Sequence, residues 1–310
     1  MTPLRVGTRG SALALWQAEW VAGQLRALPE APDVELVTVQ TLGDQDRESR
    51  LSEMGSTGVF TKALEDALVE ERVDLCVHSL KDVETTLAPG TELGAFLPRA
   101  DPRDALLSRG GETLEELPEG ARVGTGSLRR TAWILRERPD LEVVPLRGNV
   151  PTRVGRLEDG SMEAMLLAAA GLKRLEMDHH VSHYLDPTVF LPAPGQGIVA
   201  VQLRMGDERT RRHVEALDHP ETRAAALAER TFLARLGGGC LLPVGAFATL
   251  DEGVLTLRGA VASVEGSEWR GSRVRGGGLQ AESLGRTLAD ELLEDGAREI
   301  LRGVRARTVQ

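Results

Sequence analysis

Hydrophobic positions along the chain switch repeatedly between a period of two and a helical period. Leu4–Gly7 predicts a strand, followed by a turn and a helix that starts near Ser11 with an apolar stripe at Leu13, Trp16, Trp20 and Leu25. A second strand is expected over Val34–Gln40, a helix over Gly58–Glu70 and a third strand over Val73–Val77. The pattern then restarts, with a strand at Arg122–Gly124, a helix at Ser127–Arg138, and strands at Leu141–Pro145 and Met165–Ala170. Strands that alternate with helices imply mainly parallel α/β sheets. From about Thr222 the order changes to a helix over Thr222–Leu236, then strands at Val244–Ala248, Val254–Ala262 and Trp269–Val274. A long amphipathic helix over Leu279–Leu301 follows, with Gly276-Gly277-Gly278 as a hairpin-to-helix loop.

Two proline-rich stretches punctuate this pattern, Phe96-Leu97-Pro98-Arg99-Ala100-Asp101-Pro102-Arg103 and Leu191-Pro192-Ala193-Pro194-Gly195-Gln196-Gly197. The second is followed by a strand-like Ile198–Leu203, so the chain leaves the first unit and later returns to it. The expected fold class is α/β: two lobes like those of periplasmic binding proteins with a cleft between them, plus a small α+β C-terminal domain. The first lobe takes residues 1–97 and 193–217, the second 98–192, and the C-terminal domain 218–310. A cleft between two such lobes is where ligands usually bind.

Composition narrows the classes. At 310 residues, 41% hydrophobic and 27% charged, the chain suits two or three globular domains. The start, Met1-Thr2-Pro3-Leu4-Arg5-Val6-Gly7, has no apolar segment of a signal peptide, and no apolar run approaches 18 residues. A cytoplasmic protein without a membrane span is therefore expected, and two cysteines of different local character fit a reducing compartment. The net charge of −10 argues against a nucleic-acid binder. Lysine occurs only at Lys62, Lys81 and Lys173 among 37 basic residues. Arginine supplies the rest, and its planar fork suits carboxylates.

Several residues stand out for chemistry. Cys240 follows three glycines in Gly237-Gly238-Gly239-Cys240, an approach stripped of side chains that suits a bulky group on the sulfur. A free cysteine is more often buried and inert, which is the reading of Cys76 in Val73-Asp74-Leu75-Cys76-Val77. Thr8-Arg9-Gly10-Ser11 and Thr125-Gly126-Ser127-Leu128-Arg129-Arg130 are strand-to-helix turns where backbone N–H groups and arginines can bind an anion, or where serine simply caps a helix. Arginine at position 129 rules out a dinucleotide fingerprint. Arg147, Arg153 and Arg174 stand near other loops. His78-Ser79-Leu80-Lys81-Asp82 closes a strand: Asp82 can accept ring N–H groups and stabilise a cation, and Lys81 can bind a carboxylate or form a Schiff base. His179, His180 and His183 lack the further ligands of a metal site, so no metal is expected. Taken alone, these residues leave open a two-lobed binding protein for a carboxylated ligand and a lysine Schiff-base enzyme.

In order along the chain, the motifs resemble the porphobilinogen deaminase (hydroxymethylbilane synthase) family. They are Thr8-Arg9-Gly10-Ser11 with Ala14-Leu15-Trp16-Gln17, His78-Ser79-Leu80-Lys81-Asp82-Val83, Gly124 to Arg130, and Leu146-Arg147-Gly148-Asn149. Ala169 to Leu175, Pro194-Gly195-Gln196-Gly197 and Gly238-Gly239-Cys240 complete the set. The resemblance implies a dipyrromethane cofactor joined by a thioether to Cys240, and condensation of four porphobilinogens into hydroxymethylbilane with loss of ammonia; a monomer is expected because no apolar stripe is left over for an interface. Asp82 would be the catalytic carboxylate, easing departure of ammonia and stabilising an azafulvene-like cation. Lys81, Asp82, Thr125, Ser127, Arg129, Arg130, Arg147, Gly148 and Ala170 would surround the cofactor. Arg9, Ser11, Phe60, Arg147, Arg153 and Gln196 would bind substrate. The chain departs from the family at Glu53 and Thr57, where lysines are usual, at Glu84, where proline is common, and at Gly126, where serine is common.

Overall fold

The computed structural model describes residues 2–40, 61–239 and 242–308. The predictions for Glu53, Thr57, Phe60, Cys240 and the first residues of the Gly58–Glu70 helix lie outside the described residues.

In the first lobe, the strands are β1 (Leu4–Thr8), β2 (Val34–Thr38), β3 (Leu75–Ser79) and β4 (Thr91–Phe96). The second lobe contains β5 (Asp104–Ser108), β6 (Arg122–Thr125), β7 (Glu142–Pro145), β8 (Ala164–Ala168) and β9 (His183–Tyr184). The chain then returns as β10 (Val199–Arg204). The sheet orders are β2-β1-β3-β10-β4 and β7-β6-β8-β5-β9, the same plan twice.

The sheets are mixed, which corrects the expectation of mainly parallel ones. β1 runs parallel to β2 and β3, and β6 parallel to β7 and β8. β10 lies antiparallel to β3 and β4, and β5 antiparallel to β8 and β9. The reason is the crossing itself: β5 and β10 each enter a sheet from the other lobe, at the carboxyl end of its central strand. The two proline-rich stretches are these crossings. A two-lobed α/β architecture with a small third domain is thus what the strand order gives.

Helix α1 (Ala12–Arg26) starts where expected, but its buried face is Gln17, Ala18, Val21, Ala22 and Leu25. Trp16 is 38% exposed, stacked on Trp20 at 5.8 Å between ring centroids. Small alanines on the buried face let the helix lie close to the sheet; Trp20 packs partly against that core and Trp16 is left at the rim. Helices α2 (Lys62–Val69) and α3 (Leu128–Glu137) lie within the expected ranges. Helix α4 (Val150–Glu158), like β4 and β5, falls where the hydrophobic pattern gave no element. The Met165–Ala170 strand ends at Ala168 and passes directly into α5 (Ala169–Arg174), and α6 (Glu208–Glu215) is also additional.

The third domain packs α7 (Pro220–Arg235) and α8 (Ala281–Leu292) on a meander of β11 (Val244–Asp251), β12 (Val254–Ala262) and β13 (Trp269–Gly277). β13 takes in Gly276 and Gly277, shortening the expected loop. The long final helix is two: Gly296, at φ 101°, breaks it, and α9 (Arg298–Thr308) follows. Left-handed backbone at that point suits glycine and cannot continue an α-helix. Among the described residues no helix is long and apolar enough to cross a membrane.

Candidate active site

Both lobes turn from strand to helix through a serine cap. Ser11 accepts from the Ala14 N–H at 3.3 Å, and Ser127 accepts from the Arg130 N–H at 3.4 Å, while Thr125 Oγ1 accepts from the Ser127 N–H at 3.2 Å. These oxygens satisfy donors of the first helical turn, so their hydroxyls act first as caps. Arg9, half-buried in the first of these turns, is close enough to affect the buried His78. Burial first, then the charges of Arg9 and Arg230, push that imidazole down to about 4, so it is neutral at physiological pH.

The central strand of the first lobe, β3, ends in the turn Leu80–Asp82. Leu80 N–H donates to the Ile198 carbonyl at 2.9 Å, and Val83 N–H closes the turn on the Leu80 carbonyl at 3.1 Å. Lys81 and Asp82 therefore stand at the carboxyl end of a strand, at the mouth of the interlobe cleft. Lys81 Nζ donates to Gln196 Oε1 at 3.4 Å. Burial and the nearby Arg130 and Arg129 lower its pKa to about 8, against the opposing pull of Asp82 and Asp104.

Asp104, which no sequence signal singled out, organises the second lobe's side. It is fully buried at the start of β5. Arg130 Nη2 reaches Oδ1 at 2.7 Å, Arg130 Nε at 3.0 Å, and Arg129 Nη2 lies 2.8 Å from Oδ2. Gln196 Nε2 adds a fourth contact at 3.0 Å. Burial alone would raise this carboxyl, but the two arginines and Gln196 outweigh it and hold it at about 2. Arg129 Nη1 also donates to the Leu191 carbonyl at 2.7 Å, and Arg130 Nη1 to Leu166 at 3.0 Å. The buried Arg129 Nε has no hydrogen-bond partner among the described residues.

Leu13, Ser79, Lys81, Arg130, Arg153 and Arg174 face one another across the cleft, with Ala170 beside them. Arg153 Nε donates to the Gly148 carbonyl at 2.7 Å, which anchors the half-buried Arg147-Gly148 loop. Burial, then Arg130 and Arg147, push Arg153 down to about 10, with Asp82 opposing from the other lobe. Arg174 donates to the Gly197 carbonyl at 2.9 Å and lies 5.6 Å from the Trp16 ring. Both arginines remain cations at neutral pH. The structure thus gathers Lys81, Asp82, Arg130, Arg153, Gln196 and Ala170 at one place. Arg129 is set deeper, against Asp104 and the second crossing.

The two crossings are tied together. Gln196 Nε2 donates to the Pro102 carbonyl at 2.8 Å, and Arg99 Nε donates to the Gln196 carbonyl at 2.9 Å. Glu229 of α7, fully buried, accepts Arg99 Nη1 at 2.6 Å, Gly195 N–H at 2.6 Å and Ala248 N–H at 2.7 Å. One carboxylate of the third domain therefore holds both crossings. Sequence reading missed Glu229 because nothing in Ala228-Glu229-Arg230 separates a buried acid from a solvated one. Cys76 matches its reading: its thiol is buried, donates to the Leu64 carbonyl at 3.3 Å, and burial pushes its pKa up.

Comparison with known proteins decides the family. A model described as "Porphobilinogen deaminase, dipyromethane cofactor binding domain" matches residues 4–212, and "Porphobilinogen deaminase, C-terminal domain" matches 224–294. The chain belongs to the porphobilinogen deaminase family. Porphobilinogen deaminase of Desulforudis audaxviator is 48% identical over 303 residues, covering 97% of each chain. That of Syntrophotalea carbinolica is 47% identical over 298 residues, covering 96% of this chain and 95% of its own. Moorella thermoacetica has a relative of the same name, 46% identical over 308 residues. Among solved structures, a TRAP periplasmic solute binding protein from Desulfovibrio salexigens superimposes with a TM-score of 0.43 at 10% identity, over 72% of this chain and 73% of that one. The two-lobed fold rests on the strand order described above. Family membership bears out the sequence resemblance.

Proposed function

We propose that this chain condenses four porphobilinogens head to tail into hydroxymethylbilane with release of ammonia, primed by a dipyrromethane held through Cys240. The observation that carries the reading is the interlobe cleft, where Lys81, Arg130, Arg153 and Arg174 surround the turn that presents Asp82. Each pyrrole unit brings two carboxylates, so a growing chain needs several cations in one cleft.

The residues present fit a poly-carboxylated pyrrole group. Four cationic side chains line the cleft, and the Arg129 Nε–H is buried without an acceptor among the described residues. Lys81, Arg129, Arg130 and Arg147 would hold its acetate and propionate groups, with Thr125, Ser127, Gly148 and Ala170 shaping the wall. When bound, the group supplies the terminal pyrrole on which chain growth starts. Arg9, Ser11, Arg153 and Gln196 would orient the incoming porphobilinogen. Asp82 accepts the ring N–H and places negative charge beside the ring as the aminomethyl C–N bond breaks and the nitrogen leaves as ammonia. A carbon–carbon bond forms in its place, and the attacking ring carbon loses its proton. Phe60 belongs to the same proposed substrate set.

The same reading takes residues 1–97 with 193–217, 98–192 and 218–310 as the three domains, and the protein as a cytoplasmic monomer without a nucleic-acid partner. The net charge of −10 supports the last point. Intact mass of the denatured protein tests the proposal. An excess equal to two linked pyrrole units, absent in Cys240→Ser, is expected. A bare-chain mass, with tight reversible ligand binding and no ammonia release, would favour a two-lobed binding protein instead.

A further inference from the structure

We propose that Arg230, on a helix of the third domain, is a positioning residue for Asp82. It acts through the backbone of Val83, Glu84 and Thr85, and the inference rests on the deaminase reading above.

Arg230 Nη1 donates to the Val83 carbonyl at 3.1 Å, and Nη2 donates to the Glu84 carbonyl at 2.9 Å and the Thr85 carbonyl at 3.5 Å. One guanidinium thus spans three consecutive carbonyls, the first belonging to the residue directly after Asp82. The segment it holds is neither helix nor strand. Upstream of Asp82 the backbone is fixed by the Leu80 N–H bond to the Ile198 carbonyl, and the turn itself closes through the Val83 N–H on the Leu80 carbonyl. Arg230 extends that restraint beyond the turn, to the carbonyls of residues 83–85.

A second contact reaches the same segment from the same helix. Leu236 caps α7, and the chain continues through Gly237 and Gly238, whose N–H groups bond back to Ala234 and Leu233. Gly238 sits at φ 43°, and a Cβ there would lie 2.4 Å from Thr85 Oγ1. The chain leading to Cys240 therefore passes against Thr85 without room for a side chain. Arg230 grips residues 83–85 from the helix, and Gly238 abuts Thr85 just past the helix end. Through this pair, α7 sets the spacing between the Asp82 turn and the glycine run. The planar fork of arginine suits the task, since lysine has no second rigid arm.

Small displacements of a catalytic group are costly, with about 1 Å worth on the order of 100-fold. Arg230→Gln removes the long fork and keeps a short polar side chain. The test measures three things on the full protein: intact mass for the two-pyrrole adduct, the thermal midpoint, and kcat and KM for porphobilinogen. The expected result is a retained adduct, a folded protein, and kcat lowered roughly 10- to 100-fold with KM within about threefold. A rescue separates positioning from bulk stability. Val83 lies at φ −85° and ψ 125°, the extended conformation that a following proline favours. Glu84→Pro should therefore stiffen the segment independently of the guanidinium and restore much of the lost kcat in the double variant.

Near-normal kcat per adduct-bearing molecule in Arg230→Gln would overturn the proposal, whatever happened to the thermal midpoint. So would failure of the double variant to recover while Glu84→Pro alone stayed active. If Arg230→Gln did not fold, Arg230→Lys would replace it, with an intermediate kcat loss expected and unchanged kcat overturning the idea. A wild-type protein with no adduct and no turnover would instead sink the deaminase reading itself, which is a different result from any of these.

Discussion

The first lobe ends its central strand in Ser79-Leu80-Lys81-Asp82, whereas the second ends its own in Ala168-Ala169-Ala170-Gly171. Both sheets have the same order, and both receive an antiparallel strand from the opposite lobe. The difference lies in what that strand brings. Register places Val199 opposite Ser79 in the first lobe, and Asp104 opposite Ala168 in the second. An apolar start leaves the Lys81-Asp82 turn facing the cleft. An acidic start draws Arg129 and Arg130 inward and fixes them. One scaffold thus presents a lysine–aspartate turn on one side and a rigid cationic wall on the other.

The strongest test of this division is Asp82→Asn. The amide keeps the shape and loses the charge, so kcat should fall by about 10²- to 10⁴-fold with the thermal midpoint little changed. Turnover assays beside thermal melts decide it, and near-normal turnover would remove the distinction between the lobes. The counterpart is Asp104→Asn. Two buried arginines would lose their carboxylate, and breaking such a pair costs roughly 3–5 kcal/mol, read as a lower midpoint in denaturant. Because Asp104 is held at about 2 in the folded state and returns to about 4 when unfolded, its contribution is present above pH ~4 and fades as pH falls toward 2. Acid melts of the variant should be flatter across that window than those of the wild type.

A smaller effect belongs to Lys81. With a pKa near 8 in the cofactor-free chain it is cationic below that pH and neutral above it, so the porphobilinogen concentration needed to load the two-pyrrole adduct onto that chain, read by intact mass, should climb as pH passes 8. In Lys81→Arg the climb should vanish from that range, because guanidinium stays charged. The finest comparison uses the paired glycines. A Cβ at Gly126 would lie 2.8 Å from the Leu146 carbonyl, whereas at Gly10 it would meet only a Thr38 methyl at 3.4 Å. Gly126→Ser should destabilise by roughly 1–3 kcal/mol and Gly10→Ser by well under that, measured by chemical denaturation. Equal costs would blur the contrast.

Much of this was legible in the chain. Prolines marked both crossings, and the turns at Ser11, Ser127 and Lys81-Asp82 followed from strand-to-helix punctuation. What escaped had no local signal. Asp104-Ala105-Leu106-Leu107-Ser108 is a five-residue strand with an acid at its head, too short for periodicity to separate from a loop. Its value comes from Arg129, Arg130 and Gln196, all distant in sequence. Trp16 misled because a large apolar side chain at helical spacing suggests a core, while Ala18 and Ala22 make the closer contact and Trp20 packs only partly against it. Glu229 and Arg230 are neighbours on α7, one directed to the crossings and the other to the segment after the Lys81-Asp82 turn. No rule of composition tells those two fates apart.

The exchange of strands between lobes also sets an order of events during synthesis. β3 is made by residue 79, yet its antiparallel neighbour β10 begins only at Val199. At a ribosomal pace of about 5–20 residues per second, β3 waits roughly 6–24 seconds for β10, the last strand of its sheet to be made. During that wait the Leu75-Cys76-Val77 edge is unpaired, the kind of apolar edge that recruits other chains. The nascent protein therefore passes through an interval of exposure that its finished fold conceals, and holdase chaperones should matter more to its yield than its final stability suggests.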